Sequence, residues 1–546
     1  MKVPWNFRYI KDWPTKAIGD TVASRVIFLF PPFRLDAANE QLWRDSNLVD
    51  LRPKTFEVLL YLVQNAQRLV TKRELLDSVW AGASVSDELL RGYIRELRGA
   101  LGDDAQKPRY IETIPTRGYR FLPRVNDESS VQTPPSELKP AKAPQELRVG
   151  ILHSLTGTMA LTESAVVDAT LLAIEEINER GGILGREIQP VVFDGASDER
   201  AFARQAAALI AEAKVCAIFG CWTSASRKSV LPIVEQREHL LIYPTQYEGM
   251  EQCSNIFYTG AAPNQQIIPA VSWTVGFLRK KRFFLVGWNS VYSRAANAII
   301  RDEVEATGGE IVGEEYVLPD STEVTRVVRT IAQTEPDLIF NSLVGDMNLF
   351  YTRLLRAAGI TPERIPTVYF SVGEIELQSL SSSEIVGDYA SWNYFQSLDR
   401  PENHAFVKRF RSRYGRQRVV ADTMEAGYLG VHLWAQAVHA ADTDDVAAVR
   451  QALPNQSFDA PGGRVRIDAE NQHTWKTMRL GRIVEGGQFE VIWSSEKPIR
   501  PEPYPSSRSP SAWKEFLNRL YTAWGGNWTK SQSANSQVDD SHSTER

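Results

Sequence analysis

Residues 86–104 read SDELLRGYIRELRGALGDD. Leu90, Ile94, Leu97 and Leu101 fall at i, i+4, i+7 and i+11, which makes one apolar stripe on a helix. Arg91, Arg95 and Arg98 repeat that spacing one residue later, so a cationic stripe runs beside the apolar one, rotated by about 100°. A helix packed through leucines and presenting arginines suits the major groove of DNA, where arginine pairs bidentately with guanine or clamps phosphate. The alternative for such a stripe is a solvated charged face. Residues 110–121, YIETIPTRGYRF, then read as a two-strand hairpin with Arg117-Gly118 near its tip. From Leu89 to Arg124 eight Lys/Arg stand against four acids, although the whole chain carries −5. The basic charge is thus concentrated where a DNA footprint needs it.

Upstream, FRLDAANEQLWRDSNLVDL (33–51) alternates apolar and polar residues around turns, as short strands do. LRPKTFEVLLYLVQNA (51–66) reads as a helix with Pro53 in its first turn and Phe56, Leu59, Leu60 and Val63 on one face. TKRELLDSVW opens with a capping box, Thr71 as the cap and Glu74 reaching back. Strands, three helices, LRGALGDD and the hairpin together resemble the winged-helix output domain of OmpR/PhoB-type response regulators and of one-component regulators that share it. The resemblance covers nearly all of residues 30–125. It implies that Ser86–Leu101 is the recognition helix and that Tyr110–Phe121 is a wing reaching the minor groove. It further implies that Arg91, Tyr93, Arg95, Arg98 and Arg117 contact DNA, Arg95 at a base or phosphate and Arg98 at the backbone. Gly92 stands where that family often has a larger contacting residue, which shifts base readout toward Arg91 and Arg95. No Asp-bearing receiver pattern precedes this unit, so phosphorylation is not the expected input.

Residues 126–146, including QTPPSELKPAKAPQE (132–146), are proline-rich, mixed in charge and nearly free of apolar residues. They read as a flexible linker with a root-mean-square span of roughly 25 Å. Beyond it, strand and helix patterns alternate many times, from LRVGILHSL and ESAVVDATLLAIEEINERGG through RFFLVGW and PDLIFNSLV. Such alternation builds parallel sheets flanked by helices, and the length calls for two lobes. Ligands in these folds sit beyond the carboxyl ends of strands, at helix N-termini. Three strand ends qualify. CWTSASRKSV brings Trp222, Thr223 and Ser224; TQYEG follows LLIYP, and this strand end brings Tyr243, Thr245, Gln246 and Tyr247; NSVYSR brings Tyr292. Aromatic walls with a few hydroxyls make a pocket for a small, neutral, polar ligand.

GCWTSASRKSVLPIVE, YPTQYEGMEQCSNIFYTGAAPNQQ, DYASWNYFQSLDRPENHAFV, MEAGYLGVHLWAQAV and FDAPGGRVRIDAENQHTW with IRPEPY resemble the type I periplasmic-binding fold of the urea/short-chain-amide group, over about residues 147–504. By that resemblance Trp222, Ser224, Tyr243, Thr245 and Tyr292 match ligand-contacting positions. One departure stands out. Relatives of that group read GSDYxxPR where this chain reads GWNSVYSR, so Asn289 and Ser290 replace an acid and an aromatic ring. Urea needs acceptors for its N–H groups, and this change removes one.

The expected architecture is a multidomain chain: an N-terminal extension (1–29), a winged helix-turn-helix (30–125), the linker, a two-lobed α/β receptor (147–504) and a C-terminal extension with a polar tail (505–546). No signal peptide and no apolar run near the ~20 residues of a spanning helix is read, so sensor and DNA-binding unit are expected to share the cytoplasm. Three cysteines without a C-x-x-C pair read as free thiols, and no cofactor, metal or catalytic residue is expected. The expected partners are double-stranded DNA, a small amide- or urea-like ligand and a second copy of the chain, with RNA polymerase a further candidate. The function implied is a one-component transcriptional regulator. Two rivals are a receptor-like scaffold that recruits a protein, and an amidase using Ser224 with His153 or His239. The second lacks a G-x-S-x-G elbow.

Overall fold

The computed structural model describes residues 27–30, 33–36, 41–44, 47–49, 51–79, 87–105, 107–114, 117–123, 125–127, 146–317, 323–345, 347–379 and 382–529. The chain divides into two compact units, one within residues 1–140 and one within 141–546.

In the first unit, strands β1 (Ile27–Phe30), β2 (Phe33–Asp36), β3 (Gln41–Arg44) and β4 (Asn47–Val49) run antiparallel. Helix α1 (Pro53–Gln64), β5 (Leu69–Thr71), α2 (Lys72–Val79), α3 (Asp87–Leu101), β6 (Ile111–Ile114), β7 (Gly118–Phe121) and β8 (Asn126–Asp127) follow. The sheets are ordered β4-β3-β2-β1-β8 and β5-β7-β6, the second being the wing. Together the helices and wing form a winged helix. Pro53 occupies the first turn of α1, where its missing N–H has no partner to lose. The α1 stripe buries Phe56, Leu59, Leu62 and Val63, whereas Leu60 is only half-buried. Thr71 and Glu74 cap α2 reciprocally, at 3.2 and 3.4 Å. Helix α3 stops at Gly102, whose φ of +64° suits glycine. Asp103 then accepts the backbone N–H groups of Arg109, Tyr110 and Ile111 at 2.6, 3.2 and 2.8 Å, which fixes the start of the wing against the helix end. The sheet thus begins at Ile27 and takes in residues 126–127; residues 128–145, the body of the linker, lie outside the described residues.

The second unit has two lobes. The first lobe is built from β9 (Leu147–His153), α4 (Ala160–Glu179), β10 (Ile188–Asp194), α5 (Glu199–Ala211), β11 (Ile218–Gly220), α6 (Ser224–Gln236), β12 (Leu241–Tyr243) and β13 (Ile256–Tyr258). Its sheet is parallel, in the order β10-β9-β11-β12-β13. The second lobe opens with α7 (Ile267–Gly276), β14 (Arg282–Trp288), α8 (Val291–Ala306), β15 (Glu310–Val317), α9 (Val324–Thr334), β16 (Leu338–Ser342), α10 (Met347–Ala357), β17 (Thr367–Tyr369), α11 (Glu374–Ser379), α12 (Ser382–Ile385) and β18 (Tyr389–Trp392). The chain returns to the first lobe through α13 (Pro401–Tyr414), α14 (Asp422–Ala441) and α15 (Val446–Ala452), then forms β19 (Ser457–Ala460), β20 (Gly463–Ile467) and β21 (Thr474–Trp475). Strands β22 (Arg479–Val484) and β23 (Gln488–Ser494) complete the second sheet, β15-β14-β16-β17-β18-β22-β23, and α16 (Pro510–Ala523) ends the described helices.

The near-continuous apolar strands are buried on both faces, as a parallel sheet between helices requires. The three crossings between lobes are tied together. Asn393 donates to the carbonyls of Gln265 and Thr477 at 3.0 and 3.2 Å, and Gln266 donates to those of Phe370 and Ser391 at 3.2 and 2.8 Å. In both sheets the strand order reverses once, beside β9 in one and β14 in the other, and such switch points open a crevice at the strand ends.

Candidate functional site

On the winged helix, Leu90, Ile94, Leu97 and Leu101 are buried, and Arg91 and Arg95 are exposed on α3. Neither arginine has an ion pair or side-chain hydrogen bond among the described residues. Arg117 is exposed at the wing tip. The other two expected contacts are engaged within the protein. Arg98 is half-buried and donates through Nη2 to the Ile111 carbonyl and the Thr113 hydroxyl, both at 2.8 Å, so it ties the recognition helix to the wing. Tyr93 is half-buried beneath the Arg52 guanidinium, 5.5 Å from its ring. Arg52 also pairs with Glu96 of α3, and Thr55 donates to Glu96 at 2.8 Å; these bonds hold the Glu96 carboxyl below the usual carboxylate range. A Cβ at Gly92 would meet nothing within 4 Å, so the recognition face has an open gap there.

In the receptor unit a cleft partly open to solvent lies between the two lobes. Its walls come from the ends of β11, β12, β14 and β16. Trp222, Ser224, Thr245 and Tyr292, four of the five expected ligand contacts, line it. Tyr243 does not. It lies fully buried behind the wall and donates to the Trp222 carbonyl at 2.7 Å, so it positions the tryptophan. Helix α6 begins at Ser224 with Thr223 as its cap, accepting from Ser226 N–H at 3.0 Å. The first amides of the helix, those of Ser224 and Ala225, are left as donors at the cleft. Buried polar atoms gather here: Thr245 Oγ1 and Trp288 Nε1 have no hydrogen-bond partner among the described residues, and Tyr292 OH faces the Gln246 and Ser371 side chains. Burial pushes the Tyr292 hydroxyl up, so it stays a neutral donor.

Beneath Ser224 lies a buried ionic cluster. Arg227, wholly buried, stacks between Tyr243 and Tyr247 at 4.8 and 4.5 Å. It binds Glu251 at 2.7 Å and Glu248 at 3.2 Å, while Lys228 binds Glu251 at 2.9 Å. Burial works against ionisation of Glu251, but the Arg227 and Lys228 charges prevail and hold its carboxyl well below the usual carboxylate range. Two cations offset two carboxylates, so the cluster offers no net charge to the cleft. Ser224 donates its hydroxyl to Glu248 and its oxygen accepts from Arg227 at 3.4 Å, which leaves one lone pair for the cleft. Neither expected base touches it: His153 bonds Glu163 at 3.0 Å and His239 bonds the Val215 carbonyl at 2.8 Å. Asn289 also turns away from the cleft, accepting from Arg294 at 3.0 Å, whereas Ser290 caps α8 and lines the wall.

Gln246 was visible in TQYEG as part of a strand end, but Trp288, Val344 and Thr529 also line the cleft. Trp288 reads as the last residue of a strand, and Thr529 lies far along the chain with no local signal. The three thiols are free, and burial pushes those of Cys216 and Cys253 up to about 12. Among the described residues no cluster could hold a metal ion and no helix is long and apolar enough to cross a membrane.

Residues 147–510 match the family model described as periplasmic binding protein domain, and residues 46–121 match that of transcriptional regulatory protein, C terminal. The chain is 40% identical over 94 residues to the transcriptional regulator HilA of Salmonella typhi, 17% of each chain. It is 35% identical over 124 residues to limonene hydroxylase of Geobacillus stearothermophilus, 23% of each. The chain therefore spans about a quarter or less of these curated relatives. Among solved structures, the solute binding protein of an ABC transporter from Rhodopseudomonas palustris HaA2, in complex with p-hydroxybenzoic acid, aligns with a TM-score of 0.61 at 19% identity, over 65% of this chain and 98% of that one. That likeness is one of fold.

Proposed function

The chain belongs to the periplasmic binding protein domain family, and from that premise we propose that it is a one-component transcriptional regulator whose receptor unit senses a small, uncharged, amide- or urea-like metabolite. The observation that carries the reading is the cleft. Its lining holds no ionised side chain among the described residues, yet hydrogen-bond donors and acceptors converge on it. The Ser224 and Ala225 amides, Trp288 Nε1, Tyr292 OH and Thr245 Oγ1 suit a carbonyl oxygen, and Gln246 Oε1 with the Ser224 oxygen suits N–H groups. An ionised carboxylate would find no cation in the lining. Trp222, Trp288 and Val291 supply flat apolar walls.

DNA binding rests on the match of residues 46–121 and on exposed Arg91, Arg95 and Arg117. A chain that reads DNA works where the DNA is, so the receptor samples metabolites of that same compartment, the cytoplasm. Two copies reading repeated half-sites are expected, because one winged helix buries little surface. Ser224 lacks an imidazole partner, which favours binding over amide hydrolysis.

Calorimetric titration of the full-length protein with urea, formamide and acetamide tests the ligand. Saturable heat with any of them, weakened roughly tenfold or more by Tyr292→Phe, is the expected result. No heat with any of the three removes the amide reading and leaves the DNA-binding reading standing.

A further inference from the structure

The C-terminal segment reaches the cleft from outside both lobes. Helix α16 sits on the second lobe, where Trp513 is fully buried and donates to the Pro505 carbonyl at 2.9 Å. Leu517 and Trp524 join the same core. Arg508, just before the helix, pairs with Asp302 of α8 at 2.6 and 2.7 Å. After α16 the chain turns at Gly525-Gly526, and Trp528-Thr529 runs into the mouth of the cleft. The Trp528 carbonyl accepts from Val291 N–H, the first amide of α8, at 3.0 Å, and Thr529 pairs with Ser290 as an antiparallel bridge. The Tyr521 ring supports Trp528 at 4.5 Å. These contacts belong to the second lobe.

The first lobe reaches the same two residues. The Lys228 ammonium lies 4.8 Å over the Trp528 ring, a cation–π contact at a side chain only 7% exposed. Glu199, at the start of α5, faces the segment. Burial pushes its carboxyl up, and the Thr529 hydroxyl and Trp528 amide offset that push. Thr529 itself lines the cleft. The segment falls after residue 510, beyond the matched family model.

A helix N-terminus at a crevice is an open oxygen-binding end. Here the end of α8 is taken by a carbonyl of the same chain, while the end of α6 stays free. We propose that Trp528 and Thr529 form a strap that walls the ligand cleft from outside either lobe, seated on α8 and gripped across the gap by Lys228 and Glu199. The strap makes the site three-sided. It also gives the lobes a contact that exists before any ligand arrives. The word ligand rests on the function proposed above, but the test needs none.

Amide hydrogen exchange on three unliganded proteins decides it: the full chain, a chain ending at Lys530 and a chain ending at Asn527. The chain ending at Lys530 should match the full chain. The chain ending at Asn527 should exchange about tenfold faster or more at residues 224–228 and 289–294, with β9 and β14 unchanged. Unchanged exchange at either helix end overturns the proposal, as does fast exchange there already in the chain ending at Lys530. Full-length Trp528→Ala guards against misfolding of the shortened chain. It keeps the carbonyl bonded to Val291, so only residues 224–228 should exchange faster; equal rates there overturn the first-lobe grip.

Discussion

Arg91, Arg95 and Arg98 share one stripe in sequence but not one job. Arg91 and Arg95 are exposed, whereas Arg98 donates two hydrogen bonds to the wing. Arg95→Ala should weaken DNA binding and lower the salt slope by about one, with little change in stability. Arg98→Ala should cost about 1–2 kcal/mol of folding free energy, because the Ile111 carbonyl and Thr113 lose a charged donor. Gel shifts across a salt series and denaturant melts of the same two variants separate these roles. The helical period places all three arginines on a helix edge, but which of them bonds the hairpin depends on where β6 lies, and no local pattern records that.

At the scale of elements, the turns and caps were legible because their chemistry is local. Pro53, the Thr71–Glu74 box and the apolar α3 stripe all stand as read. Gly118 is different. A Cβ there would lie 2.0 Å from the Val70 carbonyl oxygen, so glycine is what lets β7 lie against β5. Gly118→Ala should destabilise the winged helix by roughly 2–3 kcal/mol, read as a lower melting midpoint. Gly92→Ala should act the opposite way, stabilising by about 0.5–1 kcal/mol, since its Cβ meets open space in a helix. In YIETIPTRGYRF the hairpin is plain, but the third strand that makes Gly118 obligatory is some fifty residues earlier in the chain.

For the whole receptor unit, buried ionisable groups set the pH response. Burial pushes the Glu374 carboxyl up to about 8, although it accepts from the Gln396 backbone N–H at 2.7 Å. Its folded pKa lies above the unfolded value, so its stabilisation is fully present below about pH 4.5 and is lost as pH rises through about 8. Glu374→Gln should therefore flatten the fall in melting temperature between about pH 5 and 8, measured by calorimetry; an unchanged slope would show that Glu374 is already ionised in the fold. The sequence by itself determined the winged helix, the alternation that builds two parallel sheets, and the strand ends that face the cleft, because each follows from periodicity and capping within a few residues. Only the tertiary structure decided that Tyr243 stands behind the wall, that Asn289 turns from the cleft, and that Trp528 and Thr529 enter it. Those outcomes depend on which distant carbonyl or cation lies opposite a side chain, and that is set by how whole elements pack.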